Sequence, residues 1–204
     1  AAFKPLVDRI ADTDIRLQWF CCDRSTGVTD ASGKRVTLIR DTKYPVSVEY
    51  QTVKFIGTGR DNIKAGVFSG WELGDYIYLR SEEAYMIKME ALAHKGSADA
   101  ITELNSFMKT RQPDYNYTFT NKADLIEEII YQKRVEFWGE GLEYIDNRRL
   151  NIPVDRTDET WGAENNNHFS AGKFRYNQEE RPFLYQLPLS EIENNSQLSP
   201  TDQN

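Results

Sequence analysis

Two acidic residues, Glu136 and Glu140, stand four positions apart, a spacing that would let them do chemistry together. On a helix, side chains four apart share one face, with Cβ atoms roughly 6 Å apart. Two carboxyl groups near that separation can act as acid and nucleophile of a retaining glycoside hydrolase. Nearby basic residues offer salt-bridge partners instead: Lys133, Arg134, Arg148 and Arg149. Because structural ion-pair networks use such residues without catalysis, we expect the pair to join helices.

Two tryptophans lie in loop-like sequence where an aromatic ring could meet a sugar. Trp71 follows a glycine, Trp161 precedes one, and an asparagine run at 165–167 comes soon after Trp161. Sugar rings stack their apolar C–H faces on aromatic rings, while amides bind their hydroxyl groups. The residues predicted to contact a ligand are Trp71, Trp161, Asn165 and Asn166. Alternatively, these rings pin irregular segments onto the core. We expect Trp138, which lies in an amphipathic helix, to be a core residue.

Other signatures of catalysis or metal binding fail on spacing. The G-x-G at 57–59 lacks the third glycine of a dinucleotide-binding loop. His94 and His168 belong to no H-E-x-x-H motif. Asp12 begins a pattern like a calcium loop, but Arg16 stands where an oxygen ligand is needed. We therefore expect no cofactor and no metal site. A structural calcium ion stays an open alternative, although no motif indicates one.

Composition and charge exclude several classes of function. The 204 residues include 25 basic and 32 acidic side chains, for a net charge of −7, which argues against a nucleic-acid binder because that class needs a basic surface. No apolar run approaches the roughly 18 residues of a membrane helix. The first residues lack the pattern of a secretion signal, so we expect a cytoplasmic protein or a mature or truncated product of an exported one. Adjacent Cys21 and Cys22 match no zinc-ligand spacing.

The sequence pattern changes twice along the chain. Residues 1–78 are rich in Gly, Thr and Val, and short β-prone runs at 36–39 and 46–53 predict a few strands within irregular structure. Residues 79–150 carry the 3.6-residue apolar period of helices. Residues 151–204 return to loop-like sequence rich in Pro and Asn. We therefore predict three segments with these boundaries, the third packing on the helices.

The middle segment contains start and stop signals for two initial helices. Ser81 is predicted to cap the first, which runs through an apolar stripe including Tyr85 and ends at Gly96. Ser97 is predicted to cap the second, and Pro113 closes it.

Two further helices complete the segment. The third opens at Thr120 or Asn121, carries apolar residues on one face and continues towards Trp138, and a fourth short helix lies near 141–150. Four helices in antiparallel pairs are typical of a tetratricopeptide-like array of hairpins. Two hairpins are too few for a free-standing array, so we expect other structure to cover them. The predicted fold is mainly α, with extensive loops and a few short strands.

Four stretches of the chain carry a resemblance to a known family. Residues 132–141 read QKRVEFWGEG, residues 144–151 read YIDNRRLN, residues 80–91 read RSEEAYMIKMEA, and residues 187–195 read LPLSEIENN. In their order along the chain they resemble motifs of the SusD/RagB family of nutrient-binding lipoproteins, in which Asn167-His168, after the fourth helix, also fits. The motif residues predicted to be structural are Arg134, Glu136, Gly139, Glu140, Gly141, Asp146 and Arg149. More weakly, Asp14-Ile15-Arg16 and Lys54-Phe55 resemble the family's D-x-R and K-F positions.

The resemblance implies a function without bond-making chemistry. Proteins of this family bind oligosaccharides, or in some relatives peptides, at the bacterial surface and pass them to a SusC-like TonB-dependent barrel in the outer membrane. The resemblance implies that the protein contacts the membrane only through a lipid attached to a cysteine. Neither Cys21 nor Cys22 occupies the position of such a cysteine. Because family members are much longer, the chain resembles a C-terminal portion. The alternatives are a helical-repeat adaptor that binds proteins and, less favoured, a glycoside hydrolase using Glu136 and Glu140.

Overall fold

The fold is mainly helical, as the apolar periodicity predicts. It is described here from a computed structural model that covers residues 2–21, 51–52, 54, 78–180, 186–199 and 201. The helices are α1 (Lys4–Asp8), α2 (Ser81–Lys95), α3 (Asp99–Lys109), α4 (Lys122–Glu136), α5 (Leu142–Arg149), α6 (Asp158–Trp161) and α7 (Leu189–Asn194). The short strands are β1 (Phe20–Cys21), β2 (Gln51–Thr52), β3 (Val154–Asp155) and β4 (Arg175–Tyr176).

The ends of α2 and α3 follow the predicted signals with two corrections. Ser81 is the first residue of α2, and Arg80 occupies the N-cap position without a side-chain hydrogen bond to the helix, so the predicted serine cap is wrong. Gly96 ends α2 with a left-handed backbone. The Ser97 hydroxyl accepts a hydrogen bond from the Asp99 amide, at 3.2 Å, so it caps α3 from one position further out. Helix α3 ends at Lys109, before Pro113.

The sequence offered two candidates, Thr120 and Asn121, for the N-cap of helix α4. The Asn121 side chain accepts a hydrogen bond from the Asp124 amide at 3.1 Å, which makes Asn121 the N-cap. The helix ends at Glu136, so Trp138 lies beyond it. Trp138 is half-buried and packs edge-on against Phe20, with ring centroids 5.7 Å apart.

Helix α2 packs against both α3 and α4. The buried apolar residues of the three helices are Met86, Met89, Ala93, Ala100, Leu104, Met108, Leu125, Ile129, Ile130 and Val135. They occupy the predicted stripes, and removing their apolar surface from water supplies the main driving force for packing the helices. Tyr85 lies in α2 as predicted and is 53% exposed, and its ring is tilted by 37° to that of Phe107, with the centroids 6.4 Å apart.

The N-terminal segment packs on the other side of α4. Val7, Leu17 and Phe20 are fully buried and form a cluster with Tyr131 and Val135 of α4. A 3-10 turn over Ile15–Trp19 brings this segment round, and the Asp14 side chain caps it by accepting a hydrogen bond from the Arg16 amide at 2.9 Å. The turn therefore directs Arg16 towards α4.

The strands form two small antiparallel pairs among the described residues. In the first, Phe20 pairs with Thr52 and Cys21 with Gln51. In the second, Val154 pairs with Tyr176 and Asp155 with Arg175. Of the strands predicted at 36–39 and 46–53, only residues 51–52 fall within the described part of the chain, and they are in a strand.

The chain divides into two compact units, Ala1–Glu140 and Gly141–Asn204. The first contains helices α1 to α4, and the second contains α5 to α7 with the β3–β4 pair. The three segments inferred from sequence composition stay a prediction. In the part of the chain that the structure covers, no helix is both long and apolar enough to cross a membrane.

Replacing Asn121 by alanine should lower the free energy of unfolding by about 1 kcal/mol, because the Asp124 amide loses its side-chain acceptor. Chemical denaturation followed by circular dichroism measures the change. Thr120→Ala is the matched control: Thr120 is exposed and outside the cap, so its replacement should change stability by less than about 0.5 kcal/mol. Equal losses in the two variants would refute the assignment of the cap.

Candidate functional site

The paired carboxylates lie in a buried cluster of charges inside the first unit. We call it the Glu136 cluster; its members are Asp14, Arg16, Lys54, Arg80, Arg111, Glu136 and Glu140. Glu136 is the last residue of α4 and its side chain is 2% exposed. Its Oε1 accepts hydrogen bonds from Arg80 Nη1 at 3.0 Å and Arg111 Nη2 at 3.2 Å. Its Oε2 accepts from Arg111 Nε at 3.3 Å and Arg16 Nη1 at 3.4 Å.

Glu140 is tied to Glu136 through a shared arginine. Its Oε1 accepts from Lys54 Nζ at 2.6 Å and Arg80 Nη2 at 2.9 Å, and its Oε2 accepts from Arg80 Nε at 3.1 Å. One guanidinium therefore bridges the two carboxylates. Gly139, just before Glu140, has a φ of 78°, which favours glycine and turns the chain after α4 so that Glu140 comes back towards Arg80.

Arg16 and Lys54 bring two further parts of the chain into the cluster. Both Arg16 and Asp14 are almost fully buried, and the Arg16 Nε and Nη2 atoms donate to the Asp14 carboxylate at 2.7–3.2 Å. Lys54 Nζ also donates to the main-chain oxygens of Glu136, at 2.6 Å, and Trp138, at 3.1 Å. These contacts give the two weaker sequence resemblances, D-x-R and K-F, a common physical meaning: their charged residues hold the end of α4.

The cations of the cluster control the protonation of Glu136. Burial alone raises the pKa of this carboxyl, but hydrogen bonds and positive charge from Arg111, Arg16 and Arg80 outweigh it, so the pKa of Glu136 lies below its ordinary value. Burial lowers the pKa of Lys54 more than the neighbouring Glu140 raises it. Glu136 is therefore an anion at neutral pH, with each of its oxygens already accepting two hydrogen bonds.

The predicted salt-bridge network exists, and the described partners of Glu136 and Glu140 are Arg16, Lys54, Arg80 and Arg111 rather than the expected Lys133. Lys133 pairs with Glu90 of α2 at 3.1 Å instead. Arg149 pairs with Asp146 within α5, with Nη2 2.7 Å from Oδ1, and Arg148 donates to the Gln178 main-chain oxygen. Arg134 is half-buried in α4. The partners of the two glutamates come from far away in sequence, and Arg111, which carried no motif, is one of them.

The second unit contains the predicted ligand residues that the structure describes. Trp161 ends α6 and is 38% exposed, and its indole Nε1 donates to the Asp155 main-chain oxygen at 2.9 Å. The Asp155 carboxylate accepts from both Thr157 and Thr160, at 2.7–3.0 Å. These bonds fix the turn that presents the tryptophan ring.

The asparagines after Trp161 occupy different environments. Asn165 is exposed, and its amide donates to Glu164 at 3.2 Å. Asn166 is buried, donates to the Arg156 main-chain oxygen at 2.9 Å and the Asp158 carboxylate at 2.8 Å, and accepts from the His168 amide. These bonds give Asn166 a structural role in the loop, and its ligand contact stays a prediction.

The remaining predicted positions are placed as follows. Trp71 lies outside the described residues. Gly141 has a φ of 87° and precedes α5. Within the described ranges, no group of three or more His, Cys, Asp or Glu side chains is arranged to hold a metal ion.

The motifs and the fold together define the class of protein. The SusD family model matches residues 12–204, and the chain therefore belongs to the SusD family. No curated protein matches the chain. A solved structure, that of a SusD-like carbohydrate binding protein from Bacteroides vulgatus ATCC 8482, is similar over 95% of this chain, with a TM-score of 0.60 and 22% identity. At that identity the similarity concerns the fold, and this chain spans 40% of the length of that protein.

Replacing Glu136 by glutamine should lower the free energy of unfolding at neutral pH by about 3 kcal/mol, because three arginines lose a buried anionic partner. The loss should depend on pH. A carboxyl whose pKa is lowered by folding contributes fully above its ordinary pKa of about 4.5 and loses that contribution as the pH falls through its lower folded value. Urea denaturation from pH 7 to pH 3 should therefore show the two proteins converging at acidic pH.

Glu103→Gln provides a control for the charge change itself. Glu103 forms an ion pair with Lys88 at 2.6 Å on the surface, where both side chains are solvent-accessible. Surface pairs contribute about 0–1 kcal/mol, so this variant should differ little from the parent protein. A Glu136→Gln variant as stable as Glu103→Gln at pH 7 would contradict a structural role for the cluster.

Proposed function

We propose that the protein binds oligosaccharide or peptide nutrients and catalyses no reaction on them. Its membership of the SusD family over residues 12–204 carries this proposal. The similar solved structure, described as carbohydrate binding, favours oligosaccharides over peptides. By the family resemblance, the whole protein acts at the outer face of the outer membrane, held there by a lipid anchor, and delivers its ligand to a SusC-like TonB-dependent barrel.

The state of the two carboxylates supports binding without catalysis. A glycosidase acid needs a raised pKa in order to be protonated near neutral pH, whereas the arginines lower the pKa of Glu136. Glu140 is 6% exposed and already accepts three hydrogen bonds from Lys54 and Arg80. Neither carboxylate is available to a sugar, and this argues against the glycoside hydrolase alternative.

The loop around Trp161 is the part of the second unit best suited to meet a ligand. Its indole is partly exposed and held in place by the Nε1 hydrogen bond, so little side-chain freedom is lost when a sugar stacks on it. Exposed Asn165 on the same loop offers an amide to sugar hydroxyls. Trp71 and Asn166 stay candidates on the sequence argument alone.

Replacing Trp161 by alanine should weaken oligosaccharide binding about tenfold, which corresponds to about 1.4 kcal/mol, because the stacking surface is lost. Trp161→Phe should retain most of the affinity, because it keeps a flat ring and loses only the hydrogen bond to Asp155. Isothermal titration calorimetry against neutral oligosaccharides and short peptides measures both, and chromatography of the same samples reports cleavage.

Thermal unfolding separates binding from folding in these variants. Trp161→Phe and Trp161→Ala lose the same indole hydrogen bond, so lowered affinity in the alanine variant alone identifies the ring as a ligand contact. Affinity that stays at the parent value in both variants would remove Trp161 from the site. Cleaved products from the parent protein would contradict the proposed function itself.

A further inference from the structure

One cation of the second unit has no carboxylate partner among the described residues. Arg156 directly follows strand β3, and its main-chain amide donates to the Phe174 main-chain oxygen at 2.8 Å, which extends the pairing of β3 with β4 by one residue. Within the described part of the chain, the Arg156 guanidinium forms no hydrogen bond or ion pair. It lies 5.1 Å from the centroid of the Phe174 ring. A guanidinium carries five N–H donors, and here they are open to a ligand.

The donors of Arg156 are within reach of solvent. Arg156 is half-buried. In the described ranges, the buried polar side-chain atoms without a hydrogen-bond partner are the Tyr131 hydroxyl and Gln178 Oε1. Because the Arg156 nitrogens also have no partner but are not among those buried atoms, they are accessible. A ligand atom can therefore reach them.

Two aromatic rings lie beside this guanidinium. Asp155 pairs with Arg175 in the antiparallel register, so the next pair is Arg156 with Phe174. Residues two apart on a strand share a face, and the rings of Phe174 and Tyr176 have centroids 5.0 Å apart. The guanidinium lies within the roughly 6 Å of a cation–π contact. This contact orders the side chain before a ligand arrives, which lowers the entropic cost of binding.

The positive charge of Arg156 is the surplus charge of the strand pair. Asp158 accepts from Lys173 Nζ at 2.8 Å, and Asp155 Oδ2 lies 3.7 Å from Arg175 Nε. Two carboxylates therefore neutralise two of these three cations, and Arg156 is left. A free guanidinium beside aromatic surface favours an anionic ligand over a neutral one.

A nearby histidine is affected by the same charge. Burial lowers the pKa of His168, and the positive charge of Arg156 lowers it further. The potential around His168 is therefore positive, as a site for an anion requires.

Arg156 also stands at the base of the loop around Trp161. The main-chain oxygen of Asp155, the residue before it, accepts from the Trp161 indole at 2.9 Å. The main-chain oxygen of Arg156 itself accepts from Asn166 Nδ2 at 2.9 Å. The backbone that carries the cation thus also holds the proposed ligand contact, so both belong to one part of the second unit.

We propose that Arg156 binds the carboxylate of a uronic acid, so that the glycan bound by the protein is acidic. The planar guanidinium can hold a carboxylate through two parallel hydrogen bonds, while Phe174 and Tyr176 offer apolar surface to the sugar ring. The chain carries a net charge of −7, so an anionic glycan needs a local cation to bind. The proposal rests on the proposed function and adds the charge of the ligand to it.

The test replaces Arg156 by glutamine in the full 204-residue chain, with Arg175→Gln as the matched control. Both variants lose one positive charge from the same strand pair, but Arg175 pairs with Asp155 instead of lying on Phe174. Calorimetry uses oligosaccharides of galacturonic acid and of glucuronic acid, each beside a neutral counterpart whose carboxyl groups have been reduced. The parent should bind the acidic member of a pair more tightly.

The variants should differ in their affinity for the acidic oligosaccharide. Arg156→Gln should bind it about ten- to a hundredfold more weakly, the size of hydrogen bonds to a charged group. Arg156→Lys should recover part of this loss, because lysine keeps the charge without the planar fork. Arg175→Gln should stay within about threefold of the parent, because an exposed charge acts only through a screened field. Melting temperatures confirm that each variant is folded, and Arg156→Lys, which keeps the cation, carries the comparison if Arg156→Gln is not.

The outcomes separate this proposal from the proposed function. If the parent binds neutral oligosaccharides as tightly as their acidic counterparts, the protein is a glycan binder and the role of Arg156 is overturned alone. Equal losses in Arg156→Gln and Arg175→Gln would also overturn it, because general charge would then explain the effect. If the parent binds no oligosaccharide, both proposals are overturned.

A peptide arm identifies the source of the carboxylate. A tripeptide with a free C-terminus and its amidated form are titrated against the parent and Arg156→Gln. Binding of the free form alone, lost in Arg156→Gln, would show that Arg156 recognises a peptide carboxylate and would overturn the assignment to a uronic acid. We expect neither peptide to bind.

Discussion

The first unit depends on the pairing of charges around Glu136. A buried carboxylate without a partner would cost several kcal/mol, so its place at the end of α4 is tenable only when cations reach it. Arg16, Arg80 and Arg111 do so from the N-terminal turn, the start of α2 and the end of α3. Lys54 adds the region beyond β2 through Glu140. The cluster therefore requires distant parts of the chain to meet at one point, and apolar packing of α2 on α3 and α4 makes the meeting possible.

In this arrangement Glu136 and Glu140, the acidic pair that stands out in the sequence, have a structural role. Both carboxylates have their hydrogen-bonding positions filled by cations, and the pKa of Glu136 is lowered, which suits a protein that presents a fixed surface and performs no proton transfer. The proposed ligand contact at Trp161 in the second unit combines a partly exposed aromatic ring with polar groups that internal hydrogen bonds already hold in position.

The sequence predicts the helices well because their signals are local. Apolar residues at helical spacing become the buried faces of α2, α3 and α4, and Gly96 and Asn121 mark helix ends as proposed. Ser81 shows the limit of such signals: it is the first residue of α2, and the N-cap position before it is occupied by Arg80, whose side chain pairs with Glu136 and does not cap the helix.

Long-range pairing is where sequence reasoning falls short. Lys133 stands only three residues before Glu136, yet it pairs with Glu90 on α2. Which cation reaches a buried carboxylate is decided by tertiary packing, and Arg111 gave no signal because the carboxylates that it pairs with, those of Glu136 and Glu82, are 25 and 29 residues away.

The most direct measurement is the pKa of the Glu136 carboxyl itself, obtained by carbon-detected NMR titration of the glutamate-labelled chain, with Glu136→Gln used to assign the signal. If the cluster is a structural ion network, this carboxyl titrates below its ordinary value of about 4.5. A pKa raised towards neutrality is the property of a catalytic acid, and that result would contradict both the structural role of the cluster and the proposal that the protein binds without catalysis.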